Sequence, residues 1–331
     1  MPSTKLHIPP FPIDLVYLWV DGNDPQWLAK KQSYIGDQVN ATSQVTSAAR
    51  WRNNNELQYS LRSVEKHAPW VNHIFIITDN QCPTWLDMSN TKVSIVDHKD
   101  ILPAAALPVF NSSAIESCLH KIPGLSEYFI IGNDDTFFVK DVLWSDFFAE
   151  DGRPIVRLKN YNGIRLGNRG NYTRMLWHMQ DLVKTTFGKM VPYAPHHNFD
   201  AYRKSDFEYC VAQFKEQWER TAYSRFRQDD DMHRSLVSYY TIATKRAIFR
   251  RIGGYNRIYG FWNHVKATIT QQFAYDSRYI RLNKQNYDAV MRKYNPLMVC
   301  MNDNERSTEQ DCQRMVNFLE GLYPEKSSFE K

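Results

Sequence analysis

The chain has 331 residues, 43% of them hydrophobic, enough to bury a substantial core as one large domain or two. Its formal charge of +5 suits an anionic ligand or an acidic membrane surface but falls short of the dense basic stripe of a nucleic-acid binder. No run reaches the ~20 apolar residues of a membrane span, and Met1-Pro2-Ser3-Thr4-Lys5 lacks a signal-peptide core.

Ile13-Asp14-Leu15-Val16-Tyr17-Leu18-Trp19-Val20 reads as a buried strand over 13–20, ending at the acidic turn Asp21-Gly22-Asn23-Asp24-Pro25. Arg50-Trp51-Arg52-Asn53-Asn54-Asn55-Glu56 leads into a helical pattern over 54–68, with Leu57, Leu61, Val64 and Ala68 on one face and Pro69-Trp70 closing it. The Asn run offers an N-cap, and a helix N-terminus flanked by two arginines is a natural phosphate seat. Strands over 73–78 and 93–96 and a helix over 113–120 follow.

The strand over 128–132 empties into Gly132-Asn133-Asp134-Asp135. That places carboxylates at the carboxyl edge of a sheet, where open α/β folds bind ligands. Hard cations such as Mg²⁺ take oxygen ligands and bridge phosphates, so the pair points to an enzyme handling a nucleotide diphosphate. A solvated turn competes with this reading, since Asn, Asp and Gly are the commonest turn formers; the second acidic strand end at Asp21 weighs against it.

Beyond residue 160 the pattern turns mostly helical, over 174–186, 206–220, 231–248 and 307–322, with a strand or hairpin near 267–282. Arg157, Lys159, Arg165, Arg169 and Arg174 fall in a Gly- and Asn-rich stretch that reads as a loop, either a contact for a phosphorylated acceptor or growing polymer, or an ordinary solvated surface. The five cysteines show no CxxC or Cys/His ligand spacing, which suits reduced thiols in a cytosol. The division predicted is an α/β core over 10–160 and a mostly helical cap over 161–325, forming one continuous catalytic unit.

Ordered motifs across most of the chain resemble the Stealth family of sugar-phosphate transferases. The first block runs from Ile13 to Pro25. The second runs from Arg50 through Glu56-Leu57-Gln58-Tyr59-Ser60-Leu61-Arg62-Ser63, then His67-Ala68-Pro69-Trp70, Ile95-Val96-Asp97-His98, Phe110-Asn111-Ser112-Ser113-Ala114-Ile115-Glu116 and Asn133-Asp134-Asp135-Thr136-Phe137-Phe138. His197, Arg203-Lys204-Ser205, Phe226-Arg227 and Asp231 make the third, and Cys300-Met301-Asn302-Asp303-Asn304 the last. Asn53 stands where the family commonly has Asp, and the prolines that often follow the family histidine are missing after His196-His197.

The resemblance implies a GT-A-like nucleotide-sugar-binding core. It also implies transfer of sugar-1-phosphate from a nucleotide-diphosphate sugar to a hydroxyl of a glycan or polysaccharide acceptor, with release of a nucleoside monophosphate, in bacterial capsule or cell-surface polysaccharide synthesis. A conventional glycosyltransferase releasing the nucleoside diphosphate is the alternative. Asp135 with Asp134 is expected to hold Mg²⁺ (or Mn²⁺). His197 is the expected base, preferred over His196 for its spacing to Arg203-Lys204-Ser205, with Glu116 and Asp231 as carboxylate alternatives. Arg52, Arg203 and Arg227 are expected to grip phosphate. Asp21, Gly22 and Asn23 are placed near the nucleotide, Asn55 and Asn111 on substrate, Asp97 and His98 against base or ribose, and Asn302 and Asp303 on a second wall. The family's lysosomal-tagging members sit behind membrane anchors, so the expectation here is a bacterial enzyme in the cytoplasm, at the inner membrane face or with capsule machinery.

Overall fold

The computed structural model describes residues 8–35, 51–159, 170–252, 273–274, 276–284 and 286–331. Four strands, β1 (Ile13–Leu18), β2 (Ile74–Thr78), β3 (Val93–Asp97) and β4 (Tyr128–Asn133), run parallel in the order β3-β2-β1-β4. After β5 (Thr136–Phe138), β6 (Ile155–Lys159) and β7 (Ala194–Pro195), the chain adds β8 (Asp200–Arg203) to that sheet, antiparallel to β4. A second sheet joins β6 and β7 with β9 (Ile248–Ile252) and β10 (Phe273–Ala274); a third joins β5 with β11 (Ser277–Arg281) and β12 (Met298–Asn302). Strands from beyond residue 160 therefore enter all three sheets, paired with strands that precede it.

The parallel strands are apolar on both faces because both are covered. Along β1, Val16 faces a cluster with Phe75, Ile77, Phe129 and Ile131, while Leu15 and Tyr17 face one with Ile74, Ile76 and Ile130, the period-two alternation of a strand. Besides the one-turn helix His98–Ile101, the α-helices among the described residues are α1 (Pro25–Ile35), α2 (Glu56–His67), α3 (Ser112–Glu116), α4 (Asn171–Phe187), α5 (Lys204–Gln213), α6 (Lys215–Ala222), α7 (Ser235–Ala243), α8 (Tyr287–Tyr294) and α9 (Glu309–Leu322). Leu57, Leu61 and Val64 of α2 cover one face of the sheet; Met175, Leu176 and Met179 of α4 and Leu236 and Tyr239 of α7 cover the other. Asp14 is buried in β1 because Asn72 Nδ2 and the Ser126 N–H donate to it, at 2.8 and 2.7 Å.

Several expected elements change. The helix expected over 206–220 breaks at Phe214 into α5 and α6, and the one over 113–120 ends at Glu116. Arg157 and Lys159 lie on β6 rather than in a loop, and Arg174 lies on α4, paired with Asp229 at 2.5 Å; Arg165 and Arg169 lie outside the described residues. Of the stretch 267–282, part lies outside the described residues and β11 runs parallel to β12. None of the five cysteines is in a disulfide, and among the described residues no helix is long and apolar enough to cross a membrane.

Candidate active site

Register fixes which side chains share an edge. Leu18 of β1 lies opposite Ile77 and Asn133, and Thr78 lies opposite Asp97, so the turns after β1, β2, β3 and β4 all open on the carboxyl side. There Asp134 accepts the Asp135 N–H at 3.1 Å, and Asp135 Oδ2 receives Cys300 Sγ at 3.3 Å and Asn302 Nδ2 at 3.4 Å from β12. Asp135 Oδ1 is buried without a hydrogen-bond partner. Burial, then the charges of Asp135 and Glu56, push the Asp134 carboxyl well above the usual range; burial also raises Asp135 and Glu56, whose oxygens take the Asn54 N–H and side-chain amide at 2.7 Å.

An orphaned carboxylate oxygen beside a second carboxylate fits a hard divalent cation, which neutralises what burial makes costly. Among the described residues no three His, Cys, Asp or Glu side chains gather as a metal cage. Two carboxylates suit Mg²⁺, which is commonly bound by one or two carboxylates plus substrate phosphates.

Just after β7 the chain carries two histidines with different settings. His196 is buried, held by Ser277 Oγ at 2.7 Å and Asp200 Oδ1 at 2.9 Å. His197, in a left-handed conformation with φ of 57°, lies against the rings of Tyr172 and Tyr279, with centroids 5.2 and 5.7 Å away. Burial, then the charges of Lys159, His233 and Arg234, hold its imidazole well below the ordinary value, which keeps it neutral. Tyr279 donates to Asn302 Oδ1 at 2.6 Å, and Asn302 in turn reaches Asp135, so one short chain of contacts joins His197 to the acidic pair.

Glu116, at the end of α3, is buried. It accepts Arg234 Nη1 at 2.7 Å and the Arg234 N–H at 3.2 Å, with His233 Nε2 at 3.5 Å. Burial pushes its carboxyl up, but His233, Arg234 and Arg227 outweigh it and hold it below the usual value. Arg234 also lies 3.4 Å from Asn133 Oδ1 and 3.6 Å from Asp200 Oδ2, which ties β4, β8 and α3 together. Arg227 donates to Ser112 Oγ at 2.5 Å, while its Nε is buried and unpartnered.

The remaining expected residues fall in separate places. The turn at Asp21, Gly22 and Asn23 docks on the segment before α2: Asn23 Nδ2 donates to the Asn53 carbonyl at 3.1 Å, and Gly22 lies so close to Trp51 that a Cβ there would sit 1.7 Å from its carbonyl oxygen. Arg52 pairs with Asp303 at 2.8 Å and, with Asn54, Asn55 and Cys312, lines a groove of about 370 Å³. Asn55 occupies the N-cap of α2 with φ of 63° and no capping side-chain bond. Asp97 caps the short helix His98–Ile101; both ring nitrogens of His98 are buried without partners, and burial brings its pKa down to about 4. Asn111 caps α3 and donates to Asp231 at 2.7 Å, both side chains being buried.

Arg203 does not join the cluster. It pairs across the sheet with Tyr128, at the start of β4, and is bound to Asp206 at 2.6 Å, so the opposite edge holds it. Conversely, Arg234, His233 and Tyr279 face the site without having been singled out as site residues, and Lys159, expected in a basic loop, faces it from the end of β6. The signal for the first two was modest: a His-Arg pair opening Ser235-Leu236-Val237-Ser238-Tyr239-Tyr240, a run too apolar to leave them in water.

Residues 11–38 match the region described as Stealth protein CR1, conserved region 1, and residues 50–156 match Stealth protein CR2, conserved region 2. The exopolysaccharide phosphotransferase cps2G of Lactiplantibacillus plantarum is 36% identical over 263 residues, 71% of this chain and 77% of that protein. The capsular polysaccharide phosphotransferase fcs1 of Haemophilus influenzae is 32% identical over 95% of this chain and 84% of its own length. The capsular polysaccharide phosphotransferase SacB of Neisseria meningitidis serogroup A is 32% identical over 97% of this chain, which spans 57% of that protein. Among solved structures, the galactosyltransferase LgtC aligns over 95% of this chain and 98% of its own with a TM-score of 0.44 and 10% identity.

Proposed function

Because the chain belongs to the Stealth family, we propose that it transfers sugar-1-phosphate from a nucleotide-diphosphate sugar to a hydroxyl of a glycan acceptor, in the synthesis of a capsular or other cell-surface polysaccharide. The observation that carries this reading is the joining of Asp135 to His197 through Asn302 and Tyr279, which sets a carboxylate pair suited to a diphosphate beside a neutral base. Mg²⁺ or Mn²⁺ held by Asp134 and Asp135 would offset the charge of the diphosphate.

In this reading the acceptor oxygen bonds to the β-phosphorus, the bond from that phosphorus to the oxygen bridging the α-phosphate breaks, and the nucleoside monophosphate leaves. His197 takes the acceptor proton, since an imidazole kept neutral by its surroundings is available as a base. Arg227, with its buried Nε free, meets phosphate oxygens, while Arg234 is engaged by Glu116 and Asp200 and orders the walls. Such a transition state needs alignment and charge neutralisation more than a strong nucleophile. The donor class and the net charge of +5 suit work on the cytoplasmic side, against the inner membrane face.

Incubation with a panel of nucleotide sugars, a glycan acceptor and Mg²⁺, followed by identification of the released nucleotide, tests the reading. Nucleoside monophosphate together with a phosphodiester by phosphorus NMR is expected. Nucleoside diphosphate with a phosphate-free glycoside would instead make the protein a conventional glycosyltransferase.

A further inference from the structure

Strand β6 carries two cations two residues apart, hence on the same face, and they are treated differently. Arg157 is buried and paired with Asp276 at 2.8 Å. Lys159, at the end of the strand and opposite Ala194 of β7, is partly buried, and no carboxylate among the described residues pairs with it. Its ammonium instead lies 5.4 Å from the centre of the Tyr279 ring, the same ring that faces His197 at 5.7 Å. A cation withdrawn from water without a counter-ion is costly, and a ring face compensates only part of that. Among the described residues nothing supplies that anion, which leaves the position open to one from outside.

We propose that Lys159 is the seat of the phosphoryl group that stays with the sugar, an anion site beside His197 and facing the acidic pair across Tyr279 and Asn302. The assignment rests on the transfer reaction proposed above for the identity of the anion, but not for its existence. Lys159 then acts on the travelling phosphoryl oxygens by charge alone, while the proton goes to His197 and the nucleotide leaves from the side of Asp134 and Asp135. Held this way, the sugar phosphate keeps a cation on it after the bond to the nucleotide has broken, when the diphosphate no longer exists as a unit.

The test uses the whole protein, with glucose-1-phosphate and inorganic phosphate as probes, and needs no turnover. Thermal unfolding and titration calorimetry are compared for wild type, Lys159→Met and Lys159→Gln, with and without probe. Both variants should unfold at or above the wild-type temperature without probe, because a partly buried charge with no counter-ion among the described residues has been removed. They should bind glucose-1-phosphate about tenfold more weakly or worse, the loss of a charge-assisted contact. Binding equal to wild type in both variants, no binding by wild type, or a lowered unfolding temperature in both variants would overturn the assignment, the last because Lys159 would then serve the fold itself. Lys159-dependent binding in a protein that releases only nucleoside diphosphate would defeat the transfer reading and leave the anion site standing; phosphodiester formation with Lys159-independent binding would defeat this inference alone.

Discussion

Glu116 and Arg234 form an ion pair 2.7 Å apart with side chains only 4% and 5% exposed, between elements 118 residues apart in the chain. Breaking one side of such a pair leaves the other charge stranded, typically at ~3–5 kcal/mol. Glu116→Gln should therefore lower the unfolding free energy by about that amount at pH 7. The pH dependence follows from direction. The folded carboxyl lies below its unfolded value, so its contribution is complete above the unfolded pKa and fades as pH falls through the folded one. Denaturant unfolding from pH 3 to 7 should show a flatter acid limb in Glu116→Gln than in wild type; parallel curves would mean that the pair adds no net stability.

Asp135 makes the opposite prediction. Burial raises its carboxyl and that of Asp134, so ionisation at neutral pH works against the folded state. Asp135→Asn should abolish transfer while leaving the metal-free protein at least as stable as wild type. Mg²⁺ should raise the wild-type unfolding temperature and leave the variant unmoved. Equal stabilisation of both by Mg²⁺, or full turnover in excess chelator, would remove the pair from metal binding.

The parts of this site legible in the sequence are those that local pattern dictates. Tyr128 to Ile131 is apolar without interruption and ends in carboxylates, so both the strand and its edge follow from a dozen residues. The short strands β5, β7 and β8 are two to four residues long and give no usable period, and with them went the routes by which His197 and Asn302 reach Asp135. Arg203 shows the converse failure. Its motif marks it as a site residue, yet the antiparallel register of β8 carries it to Tyr128 while delivering Asp200, three residues earlier, opposite Ile131. Arg234 and Lys159 could not be ranked above other cations until it was known that one has Glu116 beside it and the other pairs with no carboxylate among the described residues.

Gly22 offers a purely steric test. A Cβ at this position would lie 1.7 Å from the Trp51 carbonyl oxygen and 2.5 Å from its carbon, backbone atoms that cannot rotate aside. Gly22→Ala must therefore separate the turn after β1 from the segment leading into α2, at a cost of at least ~1–3 kcal/mol. Chemical denaturation should register that loss, and donor affinity should fall with it, because Asn23 and Arg52 sit on the two sides of the contact. An alanine variant with wild-type stability would show that the turn is not docked this way.

His197 gives the sharpest kinetic expectation. Its ring is buried against Tyr172 and Tyr279, with the cations Lys159 and Arg234 close by, so its folded pKa lies well below the ordinary 6.5. The imidazole is then already neutral throughout pH 6–8, and turnover should show no inflection at 6.5 from this group. Stability carries the complementary signal. The unfolded chain takes up a proton on this histidine below about pH 6.5 while the folded protein does not, so the folded state is disfavoured as pH falls and His197→Ala should flatten that decline. The same substitution should cost ~10²–10⁴ in turnover if the ring accepts the acceptor proton, with donor affinity kept. Loss of donor binding instead of turnover would make His197 a phosphate ligand; loss of neither would move the base to another group, with His196 and then Asp231, held by Asn111 and Gln228, the next to test.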